Sequence, residues 1–166
     1  MKSRNNKNNE FDSIDLEILK TLQKDARAPY LEIARRLKVS GATVHERIAK
    51  LKSRGILKGF HADIDIQKLG WDVTALVGLR TELAEKIYRT IQQLSKIDEI
   101  EEIHVVTGDF DLILKVRAKS PRHLQDILLE KVDRVFGFHR STTMVILSSP
   151  VRRIGINLEI IRSSKK

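Results

Sequence analysis

"SGATVHERIAKLKSRG", residues 40–55, is the stretch on which the reading of this chain turns. Ser40 is a good helix N-cap, because its hydroxyl can accept from the unpaired N–H groups of a first turn. Gly55 supplies the stop. Between them Val44, Ile48 and Leu51 fall on one side of a 3.6-residue turn and point to a core. Thr43, Arg47, Lys50 and Arg54 line one flank, while Ala42, Glu46, Ala49 and Ser53 face directly outward. Residues 40–58 carry Arg47, Lys50, Lys52, Arg54 and Lys58 against Glu46, a balance of +4.

Two helices precede this one. In "FDSIDLEILKTLQKDA" Asp12 or Ser13 can cap, and Ile14, Ile18 and Leu22, with Leu19 beside them, make an apolar face. In "PYLEIARRLKV" Pro29 fits the first helical turn, and Tyr30, Ile33, Ala34 and Leu37 form the stripe. No single stripe can be buried alone. The three helices must therefore pack, and the tight turn between the last two makes a helix-turn-helix. In such a motif the N-terminal turns of the last helix approach base edges while flanking cations meet phosphates. The candidate DNA contacts are Ser40, Ala42, Thr43, His45, Arg47, Lys50 and Arg54, with Arg47 foremost. Glu46 has two readings. It can accept from a cytosine amino group, or form an i,i+4 pair with Lys50, which is the commoner outcome. A charged flank is also what a plain solvated helix face looks like.

The charge distribution bears on that choice. Net charge is +9 over 166 residues, and residues 1–60 hold 14 Lys and Arg against 7 Asp and Glu. A cationic first third points to a polyanionic partner, such as DNA, RNA or an anionic membrane surface, although charge alone does not separate this from a positive surface that merely aids solubility. Residues 1–11 are expected to be a disordered basic tail. There is no cysteine, which excludes disulfides and thiolate metal sites. The start lacks an apolar signal core, and the uncharged run 141–151 is too short to span a bilayer. A cytoplasmic protein without cofactor or membrane partner is expected.

After Gly55 the period changes to two: Phe60, Ala62, Ile64 and Ile66 alternate with polar residues. That pattern predicts a strand linking two domains over 59–70. Beyond Gly70 the order reads strand (71–80), helix (83–95), strand (100–107), strand (111–118), helix (120–132), strand (138–148). This is βαββαβ, an α+β ferredoxin-like domain over 71–160, after a helix-turn-helix domain over 12–58. "SPVRRIGINLEII", 149–161, is expected to add an edge strand. "LILKV" and "MVIL" are nearly continuous apolar runs, so both sheet faces call for cover. Helices cover one face, and a second copy of the sheet is the simplest cover for the other. A homodimer is expected.

No catalytic constellation emerges. "HERIA", 45–49, lacks the second histidine of a zinc-binding HExxH helix. "TGDFDL" lacks the lysine of a phosphate-binding loop. His104 and His139 read as structural, and Asp98, Glu99, Glu101 and Glu102 as solvated surface. The chain is not expected to be an enzyme.

The segment "IDLEILKTLQKDARAPYLEIARRLKVSGATVHERIAKLKSRGILKGFHADID" closely resembles the DNA-binding half of the Lrp/AsnC, or feast/famine, transcription regulators. "TGDFDLILKV" and "TTMVIL" extend the resemblance over roughly 12–160. It implies a winged helix-turn-helix joined by a strand to a ligand-sensing RAM-type domain. It also implies dimers built by sheet-on-sheet packing, often assembled further to octamers, that act on double-stranded DNA. Pro29, Gly41 and Glu46 depart from residues common in the family, and Glu46 argues against transferring a known operator sequence. The glycine–aspartate loop at 108–111 is ordinary turn chemistry when read from its residues alone. The resemblance adds an amino-acid sensor, with Gly108, Asp109, Asp111 and Thr142 or Thr143 as candidate effector contacts. Two other classes share parts of this outline. One is a haem-pathway tetrapyrrole decarboxylase, expected to have lost the DNA-binding charge. The other is a dimerising module whose basic end binds RNA or protein.

Overall fold

The computed structural model describes residues 11–81, 87–135, 137–153 and 155–163. The chain divides into two compact units: Met1–Asp63 with Val151–Lys166, and Ile64–Pro150. Most of the tail expected at 1–11 lies outside the described residues.

In the first unit, helix α1 (Ser13–Lys24) starts at Asp12. The Asp15 N–H donates to Asp12 at 2.9 Å and the Asp12 N–H donates back to the Asp15 carboxylate at 3.2 Å. This reciprocal box satisfies two of the end donors of a helix. Helix α2 (Tyr30–Leu37) follows Pro29, which sits at the N-cap position, one residue before the first turn expected for it. Helix α3 (Gly41–Ser53) follows Ser40. The predicted stripes meet: Ile18, Leu22, Ile33, Ala34, Val44, Ile48 and Leu51 form one buried cluster, with Ile14, Leu19, Tyr30 and Leu37 packed against it.

Helices α2 and α3 end by the same device. The N–H of Ile56 bonds the Leu51 carbonyl and that of Gly55 the Lys52 carbonyl, with Gly55 at φ 68°. The N–H of Val39 likewise bonds Ala34 and that of Lys38 bonds Arg35, with Lys38 at φ 56°. Both are Schellman endings, which call for a left-handed residue that glycine adopts most easily. At the turn of the helix-turn-helix that place is held by lysine.

The described residues of 149–161 form no edge strand. Pro150 lacks a ladder donor, Gly155 turns at φ 78°, and Asn157 caps a short helix, α6 (Glu159–Ser163), by accepting from the Glu159 N–H. This arm packs with the first unit. Gln23 donates to the Ile156 carbonyl at 3.1 Å, and Lys20 pairs with Glu159. Leu16 lies on the same stripe of α1 as Lys20 and Gln23 and is 3% exposed. The apolar period did not include it. By its contacts the segment from Val151 on groups with the first unit.

The linker expected as a strand, 59–66, has no strand pairing. Alternation only prepares an amphipathic extended segment, and a strand also needs a hydrogen-bonded neighbour, which the described chain does not give it. A 3₁₀ turn, Gln67–Leu69, ends at Gly70.

The second unit is a four-stranded antiparallel sheet ordered β2–β3–β1–β4, formed by β1 (Val73–Thr81), β2 (Ile100–Val105), β3 (Leu112–Ala118) and β4 (Phe138–Val145). Helix α4 (Ile87–Leu94) and helix α5 (Pro121–Asp126), which continues as a π-helical turn over Ile127–Val132, complete the predicted βαββαβ order. The start expected for α4 at 83–86 lies outside the described residues. Ala75, Val77 and Leu79 of β1, with Leu112, Leu114, Val116 and Ala118 of β3, bury one face against Leu94, Leu124, Ile127 and Val132.

The other face is less apolar than the runs implied. Lys115 and Arg117 alternate onto it and pair with Glu101 and Glu102 at 2.5–3.3 Å. Of the carboxylates read as solvated surface, Glu99, Glu101 and Glu102 are therefore engaged, while Asp98 is exposed as expected. Glu99 is the most buried of them, its side chain 11% exposed and bonded to Lys131 at 2.6 Å.

Candidate nucleic-acid interface and effector loop

The first turn of α3 is organised by its cap. The Ser40 hydroxyl accepts from the Thr43 N–H at 3.0 Å and shares a 2.8 Å bond with the Thr43 hydroxyl. Ser40 and Thr43 thus engage each other at the helix start. His45 is exposed but packs edge-on against Tyr30, with ring centroids 4.7 Å apart. Ala42, Glu46, Ala49, Lys50, Ser53 and Arg54 are exposed. Lys52 stands 5.0 Å above the Phe60 ring. The expected ion pair between Glu46 and Lys50 is not formed, and among the described residues neither side chain has another partner.

Arg47, the foremost candidate for a DNA contact, is placed otherwise. Its Nη1 donates to Asp12 at 2.6 Å and to Asp15 at 2.9 Å, and its side chain is 28% exposed. The helix wheel put Arg47 on an exposed flank, but a wheel does not show what packs beside that flank. Here it is the N-terminus of α1, whose two capping carboxylates capture the guanidinium. In this arrangement Arg47 fastens α3 to the start of α1. Burial pushes the Asp12 carboxyl up, but the Asp15 N–H and Arg47 outweigh it and hold Asp12 below the usual carboxylate range. The same carboxylates hold the guanidinium more firmly charged.

The loop between β2 and β3 is fixed from several sides. Gly108 has φ 116°, a backbone conformation that favours glycine. The Val106 N–H bonds the Asp111 carbonyl, and the Asp111 N–H bonds the Leu79 carbonyl, both at 3.0 Å. Asp111 Oδ2 accepts from the Thr81 N–H at 2.7 Å and the Thr81 hydroxyl at 3.0 Å. Those bonds hold its carboxyl below the usual range and tie the loop to the end of β1. Asp109 is exposed and free of such bonds among the described residues.

A further determinant escaped the sequence reading. Phe110 lies flat on Gly78 of β1, where an added Cβ would stand 2.7 Å from the ring. Thr142 is the register partner of Gly78, so both look out from the same face of the sheet, whereas Thr143 pairs with Val77, whose side chain points to the helices. Of the two threonines, Thr142 shares the face of Phe110. Among the described residues no cluster of three or more His, Asp or Glu is placed to hold a metal. No described helix is long and apolar enough to cross a membrane.

The two units correspond to two family models. Residues 11–52 match the AsnC-type helix-turn-helix domain, and residues 74–156 match the Lrp/AsnC ligand binding domain. Regulatory protein AsnC of Haemophilus influenzae is 34% identical over 143 residues, covering 86% of this chain and 95% of that protein. The chain belongs to the Lrp/AsnC family. HTH-type transcriptional regulator FL11 of Pyrococcus horikoshii is 35% identical over 84% of this chain and 91% of its own length. The solved structure of Escherichia coli AsnC superposes with TM-score 0.83 at 30% identity, covering 87% of this chain and 97% of that one. A Lrp/AsnC-type fold is also shared with a Neisseria meningitidis transcriptional regulator solved with L-Met. The TM-score is 0.85 at 17% identity, covering 92% of this chain and 99% of that one, a likeness of fold alone.

Proposed function

We propose that this Lrp/AsnC protein is a sequence-specific, DNA-binding transcription regulator whose DNA binding is tuned by a small amino acid. The observation that carries the reading is the exposed face of α3, capped by Ser40 and braced against α1 through Arg47. Such a helix enters the major groove, with Lys50 and Arg54 toward phosphates and Ala42 and His45 toward bases. Two copies paired through the sheets of their second units would address half-sites about one DNA turn, roughly 34 Å, or a multiple apart. Dimers of this kind can assemble further, to an octamer for example. A cytoplasmic location accords with this role.

The effector reading rests on the loop chemistry. Asp109 offers a carboxylate for an ammonium group, and Thr142 offers a hydroxyl on the Phe110 face of the sheet. Gly108 leaves its backbone open, and Asp111 holds the loop in place. The relative solved with L-Met supports an amino acid as the ligand class. A ligand acts by favouring one assembly over another. Footprinting on the DNA upstream of the protein's own coding region, with and without a panel of amino acids, tests the reading. Protection that changes with one amino acid is expected. Absence of protection on any duplex at low salt would end it. Protection that no amino acid alters would end the effector part.

A further inference from the structure

We propose that Glu46 reads a cytosine in the major groove, and thereby sets part of the sequence preference of this regulator. The inference rests on the DNA-binding reading above and deepens it. At about 100° per residue the outward stripe of α3 consists of Ala42, Glu46, Ala49 and Ser53. All four are exposed. Three of them are short, so the helix can seat close to a groove floor. Glu46 is the one long side chain on that stripe, and it stands in the first half of the helix, the part that approaches base edges.

Its freedom matters as much as its place. Asp12 and Asp15, on α1, are held by Arg47. Glu17 is held by Lys20. Glu46 has a lysine one turn on, Lys50, and makes no bond with it. It is an uncommitted carboxylate and the one acidic residue in the stretch 40–58, whose other charges, Arg47, Lys50, Lys52, Arg54 and Lys58, are all cations. Against DNA such a carboxylate is repelled by every phosphate. The repulsion is offset only where the groove offers a donor. The cytosine N4 amino group is the donor that a glutamate carboxylate pairs with in direct readout. A regulator that kept this charge on its reading face would therefore prefer cytosine at the base it meets, once in each half-site.

The test is enrichment of duplexes from a randomised library by the full-length protein and by the variants Glu46→Ala and Glu46→Gln. The wild type is expected to select cytosine at one position of each half-site. Glu46→Ala is expected to lose discrimination at that position alone, by about tenfold, while the rest of the site is unchanged. Glu46→Gln is expected to move the choice toward adenine, whose N6 and N7 a glutamine amide can bond. An enriched site whose base preferences are the same in wild type and Glu46→Ala overturns the assignment of Glu46 and leaves the regulator reading standing. Failure of the wild type to enrich any duplex overturns the regulator reading and this inference with it.

Discussion

Arg47, in the middle of α3, donates to Asp15 of α1 across 32 residues of sequence, at 2.9 Å, and the same Nη1 donates to the N-cap residue Asp12 at 2.6 Å. One guanidinium thus sets the pose of the exposed helix and completes the cap of the first. Arg47→Ala should destabilise the first unit by about 1–2 kcal/mol, the lower end reflecting partial exposure of the pair. Asp15→Ala should cost less in the Arg47→Ala background than alone, and urea unfolding of the four members of that cycle measures the coupling. The salt dependence of DNA binding separates this role from a phosphate contact. A positioning residue leaves the log–log slope unchanged, whereas loss of a phosphate contact lowers it by about one unit. A lowered slope in Arg47→Ala would return it to the DNA surface.

Lys38 and Gly55 occupy equivalent places at the ends of α2 and α3, and only one is a glycine. A non-glycine residue in the left-handed region costs about 1–2 kcal/mol, part of which glycine returns as unfolded-state entropy. Lys38→Gly should therefore stabilise the first unit by roughly 0.5–1 kcal/mol. Gly55→Ala should destabilise it by about 1 kcal/mol, since nothing lies within 4 Å of the added methyl and the backbone conformation alone is at stake. Thermal midpoints of the two variants should move in opposite directions.

Gly78 leaves the room that Phe110 fills. Gly78→Ala would push a methyl into the ring, so the loop carrying Gly108 and Asp109 must shift. A loss of about 1–3 kcal/mol is expected, as for other overpacked sites. In a Phe110→Leu background the same substitution should cost distinctly less. Equal cost in both backgrounds, read by denaturant unfolding, would show that the close approach has no bearing on stability. If the loop is an effector site, Gly78→Ala should also weaken the amino-acid response while basal DNA binding persists.

Several carboxylates predict the acid behaviour. Burial pushes Glu99 and Glu101 up, but Lys131 and Arg117 outweigh it, so both are held below the usual range, as Asp12 is. Lys115 is the main cause for Glu102. A carboxylate with a depressed folded pKa binds fewer protons folded than unfolded near pH 4. Its contribution is complete above the unfolded value of about 4 and is lost as pH falls through the folded one. Stability should be flat through neutrality and decline below about pH 4. In Arg47→Ala the decline should be shallower, because Asp12 no longer gains from its partner. An unchanged acid limb in that variant would contradict the pairing.

Much of the architecture was legible in the chain because it rests on rules that act within a few residues. Asp12 and Ser40 cap as their chemistry requires, Ile18, Val44 and Ile48 repeat with the helical turn, and Leu112, Leu114 and Val116 alternate with the pleat. The same rules over-reached wherever a distant partner decides. Phe60, Ala62 and Ile64 alternate like a strand yet have no paired neighbour, and 149–161 is broken by Pro150 and Gly155.

The sequence by itself determined the three-helix motif, the βαββαβ order and the cationic first third, since caps, periods and charge are local properties. Only the tertiary structure decided that Arg47 belongs to Asp12 and Asp15, that Phe110 needs Gly78 to be a glycine, that Thr142 rather than Thr143 shares its face, and that Glu46 is left free. The physical reason is distance along the chain. A side chain pairs with whatever packing brings within about 3 Å, and packing is a property of the whole unit.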